Sequence, residues 1–156
     1  MSVEKVKQYL AQYGMADRVM EFAQSSATVE LAAVAVGCEP ARIAKTLSFD
    51  VRGQVVLVVA AGDMKIDNAK FKAQFGTKAK MLTPDETVSK IGFAVGGVCP
   101  FALNDGVMLY LDDSLKRFDI VFPSAGSASS AINMTMPELE TCTNYTVWVD
   151  VTKPRE

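Results

Sequence analysis

The chain has 156 residues, a length typical of one domain with a sizeable buried core. Hydrophobic residues make up 49% and charged residues 22%, which is ordinary for a soluble globular protein, and no apolar run approaches the roughly 18–20 residues of a membrane helix. The net charge of −2 argues against a protein that binds long duplex nucleic acid. Because the first residues also lack the plan of a signal peptide, we expect a cytoplasmic protein.

The chain contains no histidine, so it lacks the imidazole base of the usual Ser-His and Cys-His nucleophile pairs. Its three cysteines, Cys38, Cys99 and Cys142, are far apart and form no CxxC pattern. We therefore expect free thiols, no metal site and no cofactor. If the protein is an enzyme, backbone amides and a lysine must supply most of its catalytic groups.

Apolar spacing and capping residues predict four elements in the first quarter of the chain. In chain order they are a helix over 3–10 ended by Gly14, an extended segment over 19–22 leading into Ser25-Ser26-Ala27, a helix over 29–36 capped by Thr28 and ended by Gly37, and a short helix over 40–43.

Two strands over 44–51 and 54–61 come next, joined by a hairpin-type turn at Arg52-Gly53. The first strand alternates, and it places Lys45 on the same face as Leu47 and Phe49. The second strand is apolar throughout, as expected of a central strand covered on both faces.

The rest of the chain continues the alternation of helices and strands. The predicted elements are a helix over 68–75, a short strand over 79–82, a helix over 84–91 capped by Thr83, strands over 106–111 and 118–122 around a turn at 112–117, a helix over 137–141 and a strand over 145–149. Together they predict a single mixed α/β domain over residues 1–156, with a mixed, largely antiparallel sheet and helices packed outside.

The run 96–101 combines two glycines with a proline, a composition typical of a rigid loop whose backbone a ligand can touch. The N–H groups of Gly96 and Gly97 could form an oxyanion hole, although a tight turn with positive φ explains the glycines equally well. A covalent role for Cys99 is disfavoured, since a catalytic thiol needs a base.

Residues 64–80 hold five lysines and a single acid, Asp67. Within this stretch Lys65, Lys70 and Lys72 are candidates for a phosphate-contacting patch, while a solvated helix face is an equally good interpretation.

Four segments in the same order resemble the YbaK family, the editing domain associated with bacterial prolyl-tRNA synthetases. They are Arg42-Ile43-Ala44-Lys45-Thr46-Leu47, the strand ending in Ala61-Gly62-Asp63, Gly96-Gly97-Val98-Cys99-Pro100-Phe101, and Ser124-Ala125-Gly126-Ser127. The resemblance extends from about residue 20 to residue 150. It implies a compact α/β domain around a partly closed sheet, and hydrolysis of the ester of mischarged aminoacyl-tRNA.

The resemblance also implies roles for individual residues. Lys45 falls on the functional lysine of the family, and Gly96 and Gly97 fall on the glycine loop that holds the substrate carbonyl. Gly126 and Ser127 fall on a second glycine turn that faces the same pocket.

Further substrate-binding candidates are Val98, Cys99 and Pro100 of the loop, with Cys99 expected to line the pocket beside the amino-acid side chain. Asp63 could bind a substrate ammonium or cap a turn. Many relatives carry Ser where this chain has Cys99. Some carry His where it has Phe101, and this second change removes a polar contact and puts the substrate preference in doubt.

The sequence therefore predicts a trans-editing deacylase for tRNA that carries a small amino acid such as Ala, Ser or Cys, for example on the tRNA for Pro. Its partners would be aminoacyl-tRNA and an aminoacyl-tRNA synthetase, without DNA or a membrane. The alternatives are a non-catalytic module that binds tRNA or a synthetase through a vestigial pocket, and a small-molecule hydrolase.

Overall fold

A long β-hairpin forms the middle of the sheet. The structure, a computed structural model, describes residues 2–23 and 28–155, so the predicted loop Ser25-Ser26-Ala27 lies outside the described residues. The strands are β1 (Met20–Glu21), β2 (Ile43–Val51), β3 (Gln54–Ala61), β4 (Met64–Ile66), β5 (Met108–Asp112), β6 (Ile120–Pro123), β7 (Ser130–Ala131), β8 (Met134–Thr135), β9 (Tyr145–Val149) and β10 (Thr152–Pro154).

The helices lie between these strands and around the sheet. They are α1 (Ser2–Ala11), α2 (Val29–Val36), α3 (Asn68–Phe75), α4 (Pro84–Glu86), which continues into a π-helical turn (Thr87–Ile91), and α5 (Met136–Cys142). Short 3₁₀ turns span Ala16–Arg18, Pro40–Arg42 and Asp113–Arg117. No helix in the described part of the chain has both the length and the apolar character needed to cross a membrane.

Six strands form one curled, mixed sheet in the order β8-β6-β2-β3-β5-β9. The strands β2 and β3 are antiparallel, whereas β2 with β6, β3 with β5 and β5 with β9 are parallel. Four of the seven strand pairings found among the described residues are antiparallel. The prediction of a mixed α/β fold with a largely antiparallel sheet is confirmed.

The strand β3 is covered on both faces, as its apolar sequence predicts. Leu57 and Val59 belong to the main core, into which α1 and α5 also bury side chains, while Val56 and Val58 face a second cluster around Phe71 of α3. The hairpin turn Arg52-Gly53 has φ of 52° and 87° at its two residues, the geometry of the turns that close two-residue hairpins.

The helices α2 and α4 begin at the threonine caps that the sequence predicts. The Thr28 and Thr83 side chains each accept the backbone N–H three residues ahead, at 3.2 Å in both cases. Thr83 forms a full capping box with Glu86, and Gly37 ends α2 in the left-handed conformation.

The structure corrects several short elements. Residues 79–82 form a single bridge between Met81 and Phe49 instead of a strand, and residues 40–42 form a 3₁₀ turn. The predicted turn at 112–117 is a 3₁₀ helix that follows Asp112. The strands β4, β7, β8 and β10 are not predicted, because strands of two or three residues leave little periodicity in a sequence.

Candidate functional site

A cavity of about 430 Å³ opens beside β2. It lies between β2, helix α2, the start of α4 and two loops, residues 95–98 and 124–131. Its lining residues are Thr28, Val29, Ala32, Ile43–Ser48, Met81, Leu82, Pro84, Thr87, Val95, Gly96, Val98, Phe122, Ser124, Ser127, Ala128, Ser130 and Ala131. Among these described residues Lys45 alone carries a charge, so the cavity is an apolar site with one cation.

Lys45 is half-buried at the wall of this cavity. Its ammonium donates a hydrogen bond to the carbonyl oxygen of Met64 at the start of β4, which fixes the direction of the side chain. Burial lowers the pKa of Lys45, and the nearby positive charge of Arg155 lowers it further. The amine therefore loses its proton more readily than an exposed lysine.

Of the two N–H groups in the first glycine turn, that of Gly97 is bonded and that of Gly96 is free among the described residues. The N–H of Gly97 donates to the carbonyl of Ala94 at 2.9 Å and so closes a turn in which Gly96 has a φ of 92°. Gly96 lines the cavity, and its N–H has no acceptor among the described residues. The expectation that both glycines offer N–H groups is therefore wrong for Gly97, whose donor is already used.

The second glycine turn packs directly against the first. A Cβ atom placed on Gly97 would lie 2.8 Å from the carbonyl oxygen of Gly126 and 2.9 Å from the Cα of Ser127. Ser127 reaches the cavity wall, while Gly126 is buried behind it. The Ser127 hydroxyl contacts the hydroxyls of Ser130 at 3.1 Å and Ser129 at 3.4 Å, so it is held within its own turn.

In the loop after the glycines, Val98 faces the cavity whereas Cys99 and Pro100 are buried away from it. Val98 lines the cavity, and its carbonyl accepts the Ser124 hydroxyl at 3.0 Å, which joins the two loops. Cys99 is fully buried in the main core, where burial raises the pKa of its thiol to about 12. Pro100 is also buried and away from the lining. The prediction that Cys99 lines the pocket is wrong, because its side chain packs into the main core while Val98 reaches the cavity.

Asp63 lies outside the cavity lining and forms a two-point ion pair. Its carboxylate accepts from the Arg117 guanidinium at 2.5 and 2.9 Å. This hydrogen bonding lowers the pKa of Asp63. The arrangement does not favour the role of ammonium binder, since Arg117 already neutralises the carboxylate.

The lysine stretch lies outside the cavity lining. Lys65 on β4 is exposed and pairs across strands with Lys153, and Lys72 is exposed on α3. The ammonium of Lys70 is engaged by Asp150 at 3.0 Å and by the carbonyl of Thr152 at 2.9 Å. Lys65 and Lys70 therefore both lie beside β10, where Lys70 is already neutralised.

Several lining residues were not predicted as site residues. Ala32 on α2 and Met81 before α4 enter the wall from distant parts of the chain. The sequence gives little signal for Met81, because it directly follows a lysine-rich stretch. In the structure its side chain is 58% exposed at the edge of the cavity.

Comparison with known proteins agrees with the fold. Residues 23–142 match the family described as "Aminoacyl-tRNA editing domain". The chain belongs to this family, which includes the YbaK-like editing domains, and the expected membership is confirmed.

Three relatives illustrate the similarity. The chain is 50% identical, over the full length of both, to an uncharacterized protein of Bacillus subtilis (strain 168), YwhH. A match at 26% identity to a proline–tRNA ligase of Lysinibacillus sphaericus covers 72% of this chain but 21% of the ligase. A solved structure of a candidate trans-editing enzyme for prolyl tRNA synthetase superposes with a TM-score of 0.87 at 30% identity, over 97% of each chain.

Proposed function

We propose that the protein is a trans-acting deacylase that hydrolyses the ester of tRNA mischarged with a small, uncharged amino acid. One observation carries the proposal: Lys45, Gly96 and Ser127, from three separate segments, line one apolar cavity. Membership of the aminoacyl-tRNA editing domain family supports the same activity.

The chemistry requires little from the protein. The ester that links an amino acid to tRNA is labile, and the neighbouring ribose hydroxyl can assist its hydrolysis. A site that orients one water molecule and stabilises the developing oxyanion is enough. In this proposal the free N–H of Gly96 donates to that oxyanion, and Lys45 holds the terminal phosphate or ribose or stabilises negative charge.

The cavity wall favours a small uncharged side chain. Val29, Ala32 and Met81 surround the space, and Lys45 is the single charged group among the described lining residues. A basic substrate side chain would lose its hydration here with no acid among the described lining residues to pair with it, which is costly. An acidic side chain could pair only with Lys45, the group that the proposal assigns to the phosphate, the ribose or the developing charge. A large side chain would be excluded by its size.

The test is deacylation of tRNA charged with Ala, Ser, Cys or Pro by the wild type and two Lys45 variants. Lys45→Met keeps the apolar stem and removes the amine, and Lys45→Ala removes both. We expect selective hydrolysis of one ester, lost in both variants, while the melting temperature of Lys45→Met stays near that of the wild type. No turnover on any ester would favour a binding module instead, and a rate that does not depend on the RNA would favour a small-molecule hydrolase.

A further inference from the structure

The strand β2 has a short gap along the edge that faces the cavity. Along this edge β6 pairs with Ile43 and Ala44. The next partner of β2 on this edge is the chain around Met81, which pairs with β2 from Ser48 onward. There the N–H of Leu82 donates to the Ser48 carbonyl at 3.2 Å. Between these two partners, residues 45–47 are paired on the β3 side alone among the described residues.

Thr46 is the residue whose backbone points into this gap. In a β-strand, alternate residues direct both backbone groups to the same side. Two residues of the same parity, Ser48 and Asp50, direct theirs away from β3: the Ser48 carbonyl accepts from Leu82, and the Asp50 N–H donates to the Lys80 carbonyl at 2.8 Å. The N–H and C=O of Thr46 therefore both point away from β3, toward the cavity that Thr46 lines.

Thr46 carries three polar groups without a partner. Neither its backbone N–H nor its backbone C=O has a partner on this edge in the part of the chain that the structure describes. Its Oγ1 is the one buried side-chain polar atom, among the described residues, that lacks a hydrogen bond. Because buried polar groups are nearly always paired, an unpaired buried Oγ1 beside two free backbone groups at a cavity is typical of a site completed by a ligand.

We propose that Thr46 binds the main-chain atoms of the aminoacyl group, as a neighbouring strand would. The Thr46 N–H donates to the carbonyl oxygen of the ester, and the Thr46 C=O accepts a hydrogen bond from the α-ammonium. The aminoacyl group carries both the carbonyl and the ammonium. Its arrangement matches that of one residue in an antiparallel pair, whose C=O and N–H bond the N–H and C=O of the residue opposite. The proposal rests on the proposed function and names the contact by which this site recognises an amino acid.

The length of the gap favours a single amino acid over a peptide strand. Ala44 and Ser48 are four positions apart with three residues between them, which is about 13 Å of strand at roughly 3.3 Å per residue. The segments that pair with Ala44 and with Ser48 close both ends of this interval. An added strand could not continue past either end, whereas an aminoacyl group fits between them.

Amide resonances of the labelled wild type test the contact without requiring turnover. The probe is 3′-alanylamino-3′-deoxyadenosine, whose amide replaces the labile ester, and the control is the 3′-propionylamino analogue, which lacks the amino group. We expect a saturable shift of the Thr46 amide with the alanyl probe, and about tenfold to a hundredfold weaker binding of the control, as for loss of a hydrogen bond to a charged group.

Two variants add a functional measurement. Thr46→Pro removes the outward N–H, and a proline is compatible with a strand position whose N–H does not bond its neighbour. Thr46→Val is the matched control, since it keeps the N–H and removes an oxygen that is shielded from solvent. We expect Thr46→Pro to lose most deacylation and most of its affinity for the alanyl probe, while Thr46→Val keeps the saturable amide shift at residue 46.

The outcomes separate the contact from the function. An unmoved Thr46 amide while Gly96 and Ser127 respond, equal affinity of the two analogues, or no saturable shift at all would overturn the contact, even if the wild type deacylates tRNA. A Thr46 response in a protein that hydrolyses no aminoacyl-tRNA would uphold the contact and refute the proposed function.

Discussion

The contact between the two glycine turns makes Gly97 intolerant of even one added methyl group. In Gly97→Ala the new Cβ would lie 2.8 Å from the Gly126 carbonyl oxygen and 2.9 Å from the Ser127 Cα, both of which are backbone atoms. Ordinary contacts of a Cβ begin near 3.4 Å, so the turns must separate by several tenths of an ångström. Overpacking of this kind costs about 1–3 kcal/mol.

The expected result is a loss of both stability and activity. A loss of 1–3 kcal/mol corresponds to a drop in the melting temperature of about 2–12 °C for a chain of this length. Separation of the turns also moves Ser127 and Gly96 relative to Lys45, so deacylation should fall further than the unfolded fraction explains. The single tryptophan, Trp148, is half-buried and provides a fluorescence signal for urea unfolding.

Gly106→Ala is the matched control for this prediction. Gly106 has a φ of 86°, and a Cβ added there would meet no atom within 4 Å, so the substitution costs about 1 kcal/mol of backbone strain without a clash. It should lower stability and leave deacylation unchanged. Wild-type stability and activity in Gly97→Ala would refute the close approach of the two turns.

Three further predictions test the charges around the fold. Asp112→Asn should cost at least about 3 kcal/mol in urea unfolding, because the buried carboxylate accepts three hydrogen bonds, at 2.7 to 3.0 Å. Arg18 lowers the pKa of Glu138 to about 2 from its ordinary 4.5, so the pair stabilises the fold above pH 4.5 and loses this effect as the pH falls toward 2. Glu138→Gln should therefore cost about 1 kcal/mol or less at pH 7, and stability curves that stay apart at pH 2 would contradict this. If the lysine stretch binds tRNA phosphates, Lys72→Gln should weaken the affinity and reduce its salt dependence more than Lys70→Gln, and equal or absent effects in a salt titration would exclude the patch.

Local signals predicted the long elements of the fold. The hairpin needed only two apolar runs and a turn that accepts positive φ, and both lie within 20 residues of sequence. The helices starting at Val29 and Pro84 are marked by the threonine caps before them. The short strands β4 and β10 escaped prediction because their pairing depends on partners more than 80 residues apart.

The site was harder to predict than the fold for a geometric reason. Val98 enters the cavity and its neighbour Cys99 enters the core, but nothing in the sequence says which of the two side chains faces which way. Likewise, the spacing of Gly96 and Gly97 indicates a turn without saying whose N–H closes it. Both answers depend on how residues 94–101 pack against the second glycine turn, which is a tertiary contact.

The proposed site uses backbone groups where other hydrolases use side chains. The N–H of Gly96 and the two backbone groups of Thr46 are the free hydrogen-bonding groups at the cavity on which the proposals depend. Since every amino acid offers the same ammonium and carbonyl to these groups, they cannot distinguish one substrate from another. Discrimination must then lie in the walls, and enlarging one wall, as in Met81→Ala, should admit larger amino acids without lowering the rate for small ones. Unchanged selectivity across a panel of aminoacyl-tRNAs would show that the side chain of the substrate lies elsewhere.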